Sequence, residues 1–282
     1  MISATARAGL VDAGWIARNF ANAGVRVVEI DVSPSTYKKG HIPGAVFWDA
    51  YADLRDTAYR AVPRAEFERV VSRSGISDDT TVVFYGYGAL LGYWLMQAYG
   101  HRDVRVLNGN REEWEKQGGT WESEVRSYAP TRYRLPAEDK SVLASQEDVE
   151  AAIAGRGSVV LDVRSDAEYR GERFWPSGAT ANTGRAGHIR NAIHVPIDLT
   201  RNAAGAIKGE DELRDLYTKA GVTPDQRVIV YCTIGNRASL AWFILKDLLD
   251  YPNVAVYQGS YVEWGKLPDA PIDTCEPVKA TS

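Results

Sequence analysis

The amino-acid sequence contains one internal repeat, and this repeat restricts the fold more than any other feature. Three parts of the first half return in the same order in the second half. The first, "VVEIDVSPSTYKKGHIPG", matches "SVVLDVRSDAEYRG" together with "GHIRNAIHVP". The second, "TTVVFYGYGALLG", matches "QRVIVYCTIGNRASLAW", and the third, "VRVLNGNREEW", matches "VAVYQGSYVEW". Matching residues are Asp31 with Asp162, His41 with His188, Tyr85 with Tyr231, Gly86 with Cys232, Gly109 with Gly259, and Trp114 with Trp264. A repeat that keeps its order over this length predicts a duplicated domain.

The domain boundaries follow from the repeat. A chain of 282 residues exceeds the usual size of one domain. We expect a first domain over residues 1–125, a linker over residues 126–140, and a second domain over residues 141–282. The linker sequence, "RSYAPTRYRLPAEDK", contains two prolines and mixed charge. The second copy also carries an additional segment, "RFWPSGATANTGRA", in front of its "GHI" motif.

Each half alternates short β-branched runs with longer helical patterns. The candidate strands are "VVEI", "TVVFY" and "VRVL" in the first half and "VVLDV", "RVIVY" and "VAVY" in the second. Their nearly continuous apolar character is typical of strands covered on both faces. This alternation predicts two α/β domains in tandem, each a mainly parallel sheet flanked by helices.

Composition excludes several classes of partner and location. The net charge of -4 and the absence of a basic block argue against nucleic acid and against an anionic membrane surface. The longest apolar run, "ALLGYWLMQAYG", is too short to span a bilayer, and the N-terminus lacks the apolar core of a secretory signal. Two cysteines give no disulfide framework, so we expect a reducing, cytoplasmic environment, although a bond between Cys232 and Cys275 stays open.

Cys232 lies where the apolar run "RVIVY" ends and a helical pattern begins. The carboxyl edge of a parallel sheet is where ligands bind in open α/β folds. Loop N–H groups, the helix N-terminus and the charge of Arg237 would all favour a thiolate at this place. The alternative is that Cys232 is a buried, unreactive cysteine with a purely structural role. Because the repeat has Gly86 at the matching position, a role in packing alone is the weaker interpretation.

The tandem halves, "LDVRSDAEYRG", "GHIRNAIHVP", the cysteine loop and "YQGSYVEWG" together resemble the two-domain rhodanese family of thiosulfate and 3-mercaptopyruvate sulfurtransferases. The resemblance implies that Cys232 carries the transferred sulfur as a persulfide and that the first domain is catalytically inactive. It implies a small anionic sulfur donor and an acceptor that is cyanide, a thiol or a reduced protein dithiol. No metal or organic cofactor is implied. The loop residues implied to hold the persulfide are Thr233, Ile234, Gly235, Asn236 and Arg237.

The residues around this loop leave the donor open. Thr233 and Ile234 match neither the basic loop of the vertebrate-type thiosulfate enzymes nor the small-residue loop of the mercaptopyruvate enzymes. A loop ending in Ile-Gly-x-Arg resembles a bacterial thiosulfate subgroup instead, which favours thiosulfate. Many relatives have an arginine at the place of Glu168, so we expect this carboxylate to face a basic partner or solvent.

Further charged residues are candidates for the site or for the structure that supports it. Arg164 and Arg185 are candidate helpers of Arg237 in binding an anion. Asp162 could support the loop, although its match to Asp31 in the first half favours an architectural role. His188, which matches His41, is predicted to be structural.

Two other functions compete with sulfur transfer. Cys-dependent phosphatases and arsenate reductases can share this fold, but the phosphatases wrap phosphate with Cys-x5-Arg. Here Arg237 follows Cys232 with four residues between them, which is a smaller loop. The family also contains rhodanese-like modules that bind or regulate without catalysis, and the cysteine together with Arg237 argues against that alternative.

Overall fold

The structure is a computed structural model that describes residues 9–203 and 206–274. It forms two compact units, the first comprising Met1–Thr57 with Ala61–Asp139 and the second comprising Ala58–Arg60 with Lys140–Ser282. Cys275, which the sequence leaves open as a disulfide partner of Cys232, lies outside the described residues. Among the helices of the described residues, none is long and apolar enough to cross a membrane.

The first unit is a five-stranded parallel sheet with strand order β1-β5-β4-β2-β3. Its elements are β1 (Leu10–Val11), α1 (Ala13–Asn19), β2 (Val25–Asp31), α2 (Ser35–Lys39), β3 (Val46–Asp49), α3 (Arg64–Arg73), β4 (Thr81–Tyr85), α4 (Ala89–Ala98), β5 (Val104–Leu107) and α5 (Arg111–Lys116). The segment predicted to be a linker packs on this unit, since the Tyr128 hydroxyl donates to Gly44 O at 2.7 Å and Thr131 N donates to Ser72 O at 3.1 Å.

The second unit repeats this sheet with the order β6-β11-β10-β7-β9, again parallel. A short antiparallel pair, β8 with β12, lies beside it. Its elements are β6 (Leu143–Ala144), α6 (Gln146–Ile153), β7 (Ser158–Asp162), α7 (Asp166–Tyr169), β8 (His188–Ile189), β9 (Ile193–His194), α8 (Glu210–Lys219), β10 (Arg227–Tyr231), α9 (Asn236–Phe243), β11 (Val254–Tyr257), α10 (Ser260–Trp264) and β12 (Ile272–Asp273). Helix α9 continues as a π-helical turn over Ile244–Leu248.

The apolar character of the strands explains why helices cover both faces of each sheet. Strand β10 is buried from Val228 to Tyr231, and β11 is buried throughout. Such strands have no solvent-facing side and need helices on both faces, which fixes the layered α/β arrangement. The predicted fold class is therefore confirmed.

The strand register corrects one match of the repeat. Asp162 lies opposite Tyr231 in the parallel register of β7 and β10, whereas the residue opposite Tyr85 is Glu29. The neighbouring strands agree, because Glu29 is paired with Phe47 and Asp162 with His194. The counterpart of Asp162 is thus Glu29, and the sequence match to Asp31 is wrong by two residues. The sequence match paired Asp31 with Asp162 because both are aspartates, and the strand register shows that they do not occupy the same position.

Candidate active site

Cys232 lies directly after strand β10, at the carboxyl edge of the second sheet. Residues 232–235 form a loop between this strand and α9. The backbone of α10 holds the loop, since Tyr261 N donates to Cys232 O at 2.9 Å and Val262 N donates to Thr233 O at 3.0 Å. The position of the cysteine is therefore set by main-chain bonds.

The sulfur of Cys232 accepts a hydrogen bond from the loop itself. Gly235 N donates to Cys232 Sγ at 3.0 Å, and Gly235 has a left-handed backbone with φ of +95°. Glycine adopts this conformation without the steric cost that other residues incur. The thiol is 1% exposed. The N–H directed at the sulfur and the N-terminus of α9 are groups that interact favourably with a negative charge, whereas burial opposes one.

Arg237 lies in the first turn of α9 and is held by a carboxylate. Its Nη1 donates to Glu168 Oε2 and its Nη2 to Glu168 Oε1, each at 2.8 Å. Nη2 also donates to Thr233 Oγ1 at 2.7 Å. This is a bidentate fork of the strong, charge-assisted type. The charge of Arg237, which the sequence analysis assigns to anion binding, is therefore compensated by Glu168, and Glu168 faces a basic partner as expected.

Glu168 is fully buried on the short helix α7. It accepts from the Ser165 hydroxyl at 2.7 Å and from the Thr233 hydroxyl at 2.5 Å. Burial alone would raise its pKa, but the hydrogen bonds and charge of Arg237, with Thr233 and Ser165, lower the pKa of Glu168 to about 2. Burial acts to lower the pKa of Arg237, yet the hydrogen bonds and the charge of Glu168 raise it above its ordinary value. Both partners are therefore charged at neutral pH.

Asp162 and Arg164 form a separate, fully buried ion pair. Arg164 Nη2 donates to Asp162 Oδ2 and to Gly187 O, both at 2.7 Å, and Arg164 Cζ lies 3.8 Å from the centre of the Tyr261 ring. The Tyr231 hydroxyl donates to Asp162 Oδ2 at 2.5 Å and itself accepts from a backbone N–H. These bonds tie strands together and are not directed at the loop that holds Cys232.

Arg185, the other candidate helper, binds a turn. Its Nη2 donates to Leu267 O at 2.5 Å and to Ala270 O at 2.8 Å, and its backbone N donates to Gly265 O at 2.7 Å. The side chain is exposed. The structure thus brings Thr233, Gly235 and Arg237 together around Cys232, and it gives Arg164 and Arg185 other partners.

His188 belongs to the frame of the second unit. Its Nδ1 lies 2.8 Å from Tyr169 O, and its ring stacks on Tyr169 with centroids 3.6 Å apart. Burial lowers the pKa of His188, so its neutral form is favoured. In the first unit His41 makes the same pair of contacts with Tyr37. A duplicated contact supports the structural role predicted for this histidine.

Sequence reasoning missed Ser165 and did not find the partner of Glu168. Ser165 and Glu168 stand at the spacing of a capping box, S-x-x-E, which signals a helix start. That pattern could have located Glu168 in the first turn of α7. It carries no information about Arg237, which lies in another helix and meets Glu168 only through folding.

The sequence is similar to known proteins, and this similarity identifies its family. Residues 12–117 and 145–267 both match the rhodanese-like domain. The chain belongs to the rhodanese-like domain family. It is 41% identical over 273 residues to the sulfur carrier protein TtuD of Thermus thermophilus, covering 93% of this chain and 95% of that protein. It is 38% identical over 270 residues to a protein of Saccharopolyspora erythraea provisionally named thiosulfate sulfurtransferase, covering 94% and 95%.

Solved structures with the same fold include sulfur-transfer enzymes. The anaerobic ergothioneine biosynthesis enzyme of Chlorobium limicola, solved with trimethyl histidine, superposes with a TM-score of 0.86 at 26% identity, covering 95% of this chain and 71% of that one. A structure of EanB described as a cysteine persulfide in a tetrahedral intermediate state gives the same TM-score, identity and coverage. The rhodanese resemblance read from the sequence is confirmed, and with it membership of a sulfurtransferase family.

Proposed function

We propose that this protein moves a sulfane sulfur from a small anionic donor to a thiophilic acceptor through a persulfide on Cys232. The observation that carries this proposal is the N–H of Gly235 directed at Cys232 Sγ at 3.0 Å, in a four-residue loop that opens a helix. Thiosulfate is the first donor to test, because several similar proteins carry thiosulfate sulfurtransferase in their names. 3-Mercaptopyruvate is the second.

The first half-reaction uses the thiolate as the nucleophile. Cys232 Sγ attacks the outer sulfur of thiosulfate, the sulfur–sulfur bond of the donor breaks, and sulfite leaves with its electron pair. The product is a Cys232 persulfide that carries one negative charge. Loop N–H groups and the N-terminus of α9 stabilise this charge as they would the thiolate.

The second half-reaction restores the enzyme. The acceptor, which is cyanide, a thiol or a reduced protein dithiol, attacks the terminal sulfur of the persulfide. The Cys232 thiolate leaves, and thiocyanate forms when the acceptor is cyanide. Two separate half-reactions through a covalent intermediate give ping-pong kinetics.

The geometry of Arg237 argues against a phosphatase. A phosphatase loop needs an arginine fork free to bind the phosphate oxygens, but both terminal nitrogens of Arg237 donate to Glu168. We therefore rank sulfur transfer above phosphate hydrolysis.

The test is a steady-state assay with two donors. Thiosulfate and cyanide should yield sulfite and thiocyanate with parallel-line kinetics, and 3-mercaptopyruvate should be run beside them. A protein that turns over neither donor would be a rhodanese-like binding module. Hydrolysis of an aryl phosphate faster than sulfur transfer would restore the phosphatase alternative.

A further inference from the structure

The buried carboxylate of Glu168 changes the charge of the site. Arg237 is the cation of the Cys232 loop, and its Nη2 donates at 2.7 Å to the hydroxyl of Thr233, the residue that follows Cys232. Glu168 has no exposed surface and binds that arginine through both of its oxygens. One positive charge is thus balanced by one negative charge before any donor arrives. A Cys232 thiolate would then make the group of three net negative.

Neither the two candidate helpers nor Arg173, which lies beside Ser165, replaces Arg237. Arg164 is tied to Asp162 in a buried pair, and Arg185 donates to backbone carbonyls of a turn. Arg173 is exposed, with Nη2 at 3.4 Å from Ser165 Oγ. Solvent screens such a surface charge far more than it screens a buried one.

We propose that Glu168 determines the donor preference of this site. By neutralising Arg237 beside Cys232, it weakens the binding of dianionic donors such as thiosulfate and favours sulfane donors that carry a single negative charge. The inference rests on the proposed sulfur transfer through Cys232 and deepens it by naming the charge class of the donor. Glu168 is a positioning residue here, because it acts through Arg237.

Two sulfur donors that differ in charge but react in the same way separate the effect of donor charge from that of the reaction. Thiosulfate carries two negative charges, and methanethiosulfonate carries one and presents the same kind of terminal sulfur. In either case the Cys232 thiolate attacks that sulfur and the bond to the oxidised sulfur breaks. Sulfite leaves thiosulfate and methanesulfinate leaves methanethiosulfonate, each taking the electron pair of the broken bond.

The test substitution is Glu168→Gln, which removes the charge and keeps a side chain able to bond with Arg237, Thr233 and Ser165. We expect kcat/KM to rise by about tenfold for thiosulfate and by about threefold for methanethiosulfonate, since the electrostatic work scales with the charge of the donor. The gain should appear mainly in KM. Glu168→Asp, which keeps the charge, should retain the wild-type ratio of the two donors.

The matched control is Glu172→Gln. Glu172 is exposed and pairs with Arg170 at 2.6 Å, so the same change in net charge occurs a few residues away without touching Arg237. Both donors should stay within about twofold of wild type, as expected for a screened surface charge. An equal gain for both donors in Glu168→Gln, or a loss with thiosulfate in a folded variant, would overturn the inference.

A measurement on the wild-type protein covers the case in which Glu168→Gln does not fold. Sulfate and methanesulfonate differ in charge but have a similar shape, and both should compete with the donor. We expect sulfate to inhibit no more strongly than methanesulfonate, whereas tenfold stronger inhibition by sulfate would contradict the inference. If neither donor adds sulfur to Cys232 in any of these proteins, the proposed function itself fails. If sulfur is added but the donor ratio is the same in all of them, only the role of Glu168 fails.

Discussion

The two units build the same buried charge cluster from different residues. In the second unit Asp162 accepts from Tyr231 and pairs with Arg164, which also donates to Gly187 O. In the first unit the acid is Glu29, the hydroxyl is that of Tyr85, and the cation is Arg111, which donates to Gly40 O. Arg164 follows strand β7, whereas Arg111 begins α5, at the position that matches Tyr261 in the repeat.

An arrangement that persists while its arginine moves to another element is held by the fold. Burial raises the pKa of Glu29 although Tyr85 and Arg111 act to lower it, and Glu29 has no exposed surface. The cluster occurs in the unit with the cysteine and in the unit without it. It therefore supports the sheet edge in both units and does not distinguish them chemically.

The difference between the units lies in the loop after the central strand. Residues 86–88 connect β4 to α4, and residues 232–235 connect β10 to α9, so the first loop is one residue shorter. Gly86 has a φ of +92°, and a Cβ placed there would lie 2.7 Å from Ile30 O. The first unit thus has no thiol at residue 86 and no space for one, and the proposed chemistry belongs to the longer loop together with α7.

The sharpest test of this difference removes the thiol. Cys232→Ser should lower sulfur transfer by more than about a thousandfold, because an alcohol replaces the nucleophile that carries the sulfur. Its unfolding curve in urea should match that of wild type. Cys275→Ser is the control and should keep full activity. Residual transfer within tenfold of wild type would mean that another group carries the sulfur.

The next test compares the two buried arginines. Arg164→Gln should reduce the free energy of unfolding by about 3–5 kcal/mol, because it leaves Asp162 buried without its cation. Arg111→Gln should cost less, about 2 kcal/mol, since Arg111 is 21% exposed and water can partly replace it. Both values come from urea unfolding of the full chain. If Arg164→Gln kept its stability and lost thiosulfate binding, Arg164 would be a donor-binding residue after all.

Acid should act on the second unit through Glu168. Its pKa of about 2 in the folded protein lies below the ordinary value of 4.5, so its contribution is complete above pH 4.5 and is lost as the pH falls toward 2. The full contribution is about 3 kcal/mol. Between about pH 5 and about pH 3, the free energy of unfolding of wild type should therefore fall more than that of Glu168→Gln. Identical pH dependence in the two proteins would show that the pair with Arg237 adds nothing to stability.

A smaller effect is expected from placing a thiol in the first unit. Gly86→Cys should cost about 1–3 kcal/mol, because the side chain must adopt a left-handed backbone close to Ile30 O. In a Cys232→Ser background the new thiol should take up no sulfur from thiosulfate. The mass of the intact protein measures this uptake. Sulfur on residue 86 would mean that the loop of the first unit is competent and lacks only the cysteine.

The sequence predicted the parts of the molecule that local pattern controls. Apolar runs identified the strands, and the end of "RVIVY" placed Cys232 at the edge of the sheet. It did not predict contacts made by folding. The pair of Arg237 with Glu168 joins residues far apart in the chain, and the bonds of Arg185 to Leu267 and Ala270 do so as well.

The match of Asp31 to Asp162 failed for a related reason. Strand register is fixed by pairing with a neighbouring strand, so it cannot be read from one strand alone. Glu29 and Asp162 differ in type, but each faces the tyrosine that ends the central strand. The correct match requires the pairing of strands in the sheet. The architectural role of Asp162 is therefore supported by its match to Glu29, not to Asp31.

The most direct measurement is the mass of the wild-type chain after one equivalent of thiosulfate and no acceptor. The account predicts a gain of one sulfur atom, located on the peptide that contains Cys232 and released as thiocyanate when cyanide is added. A chain that releases no sulfite and gains no sulfur would contradict it, as would sulfur found on any other peptide.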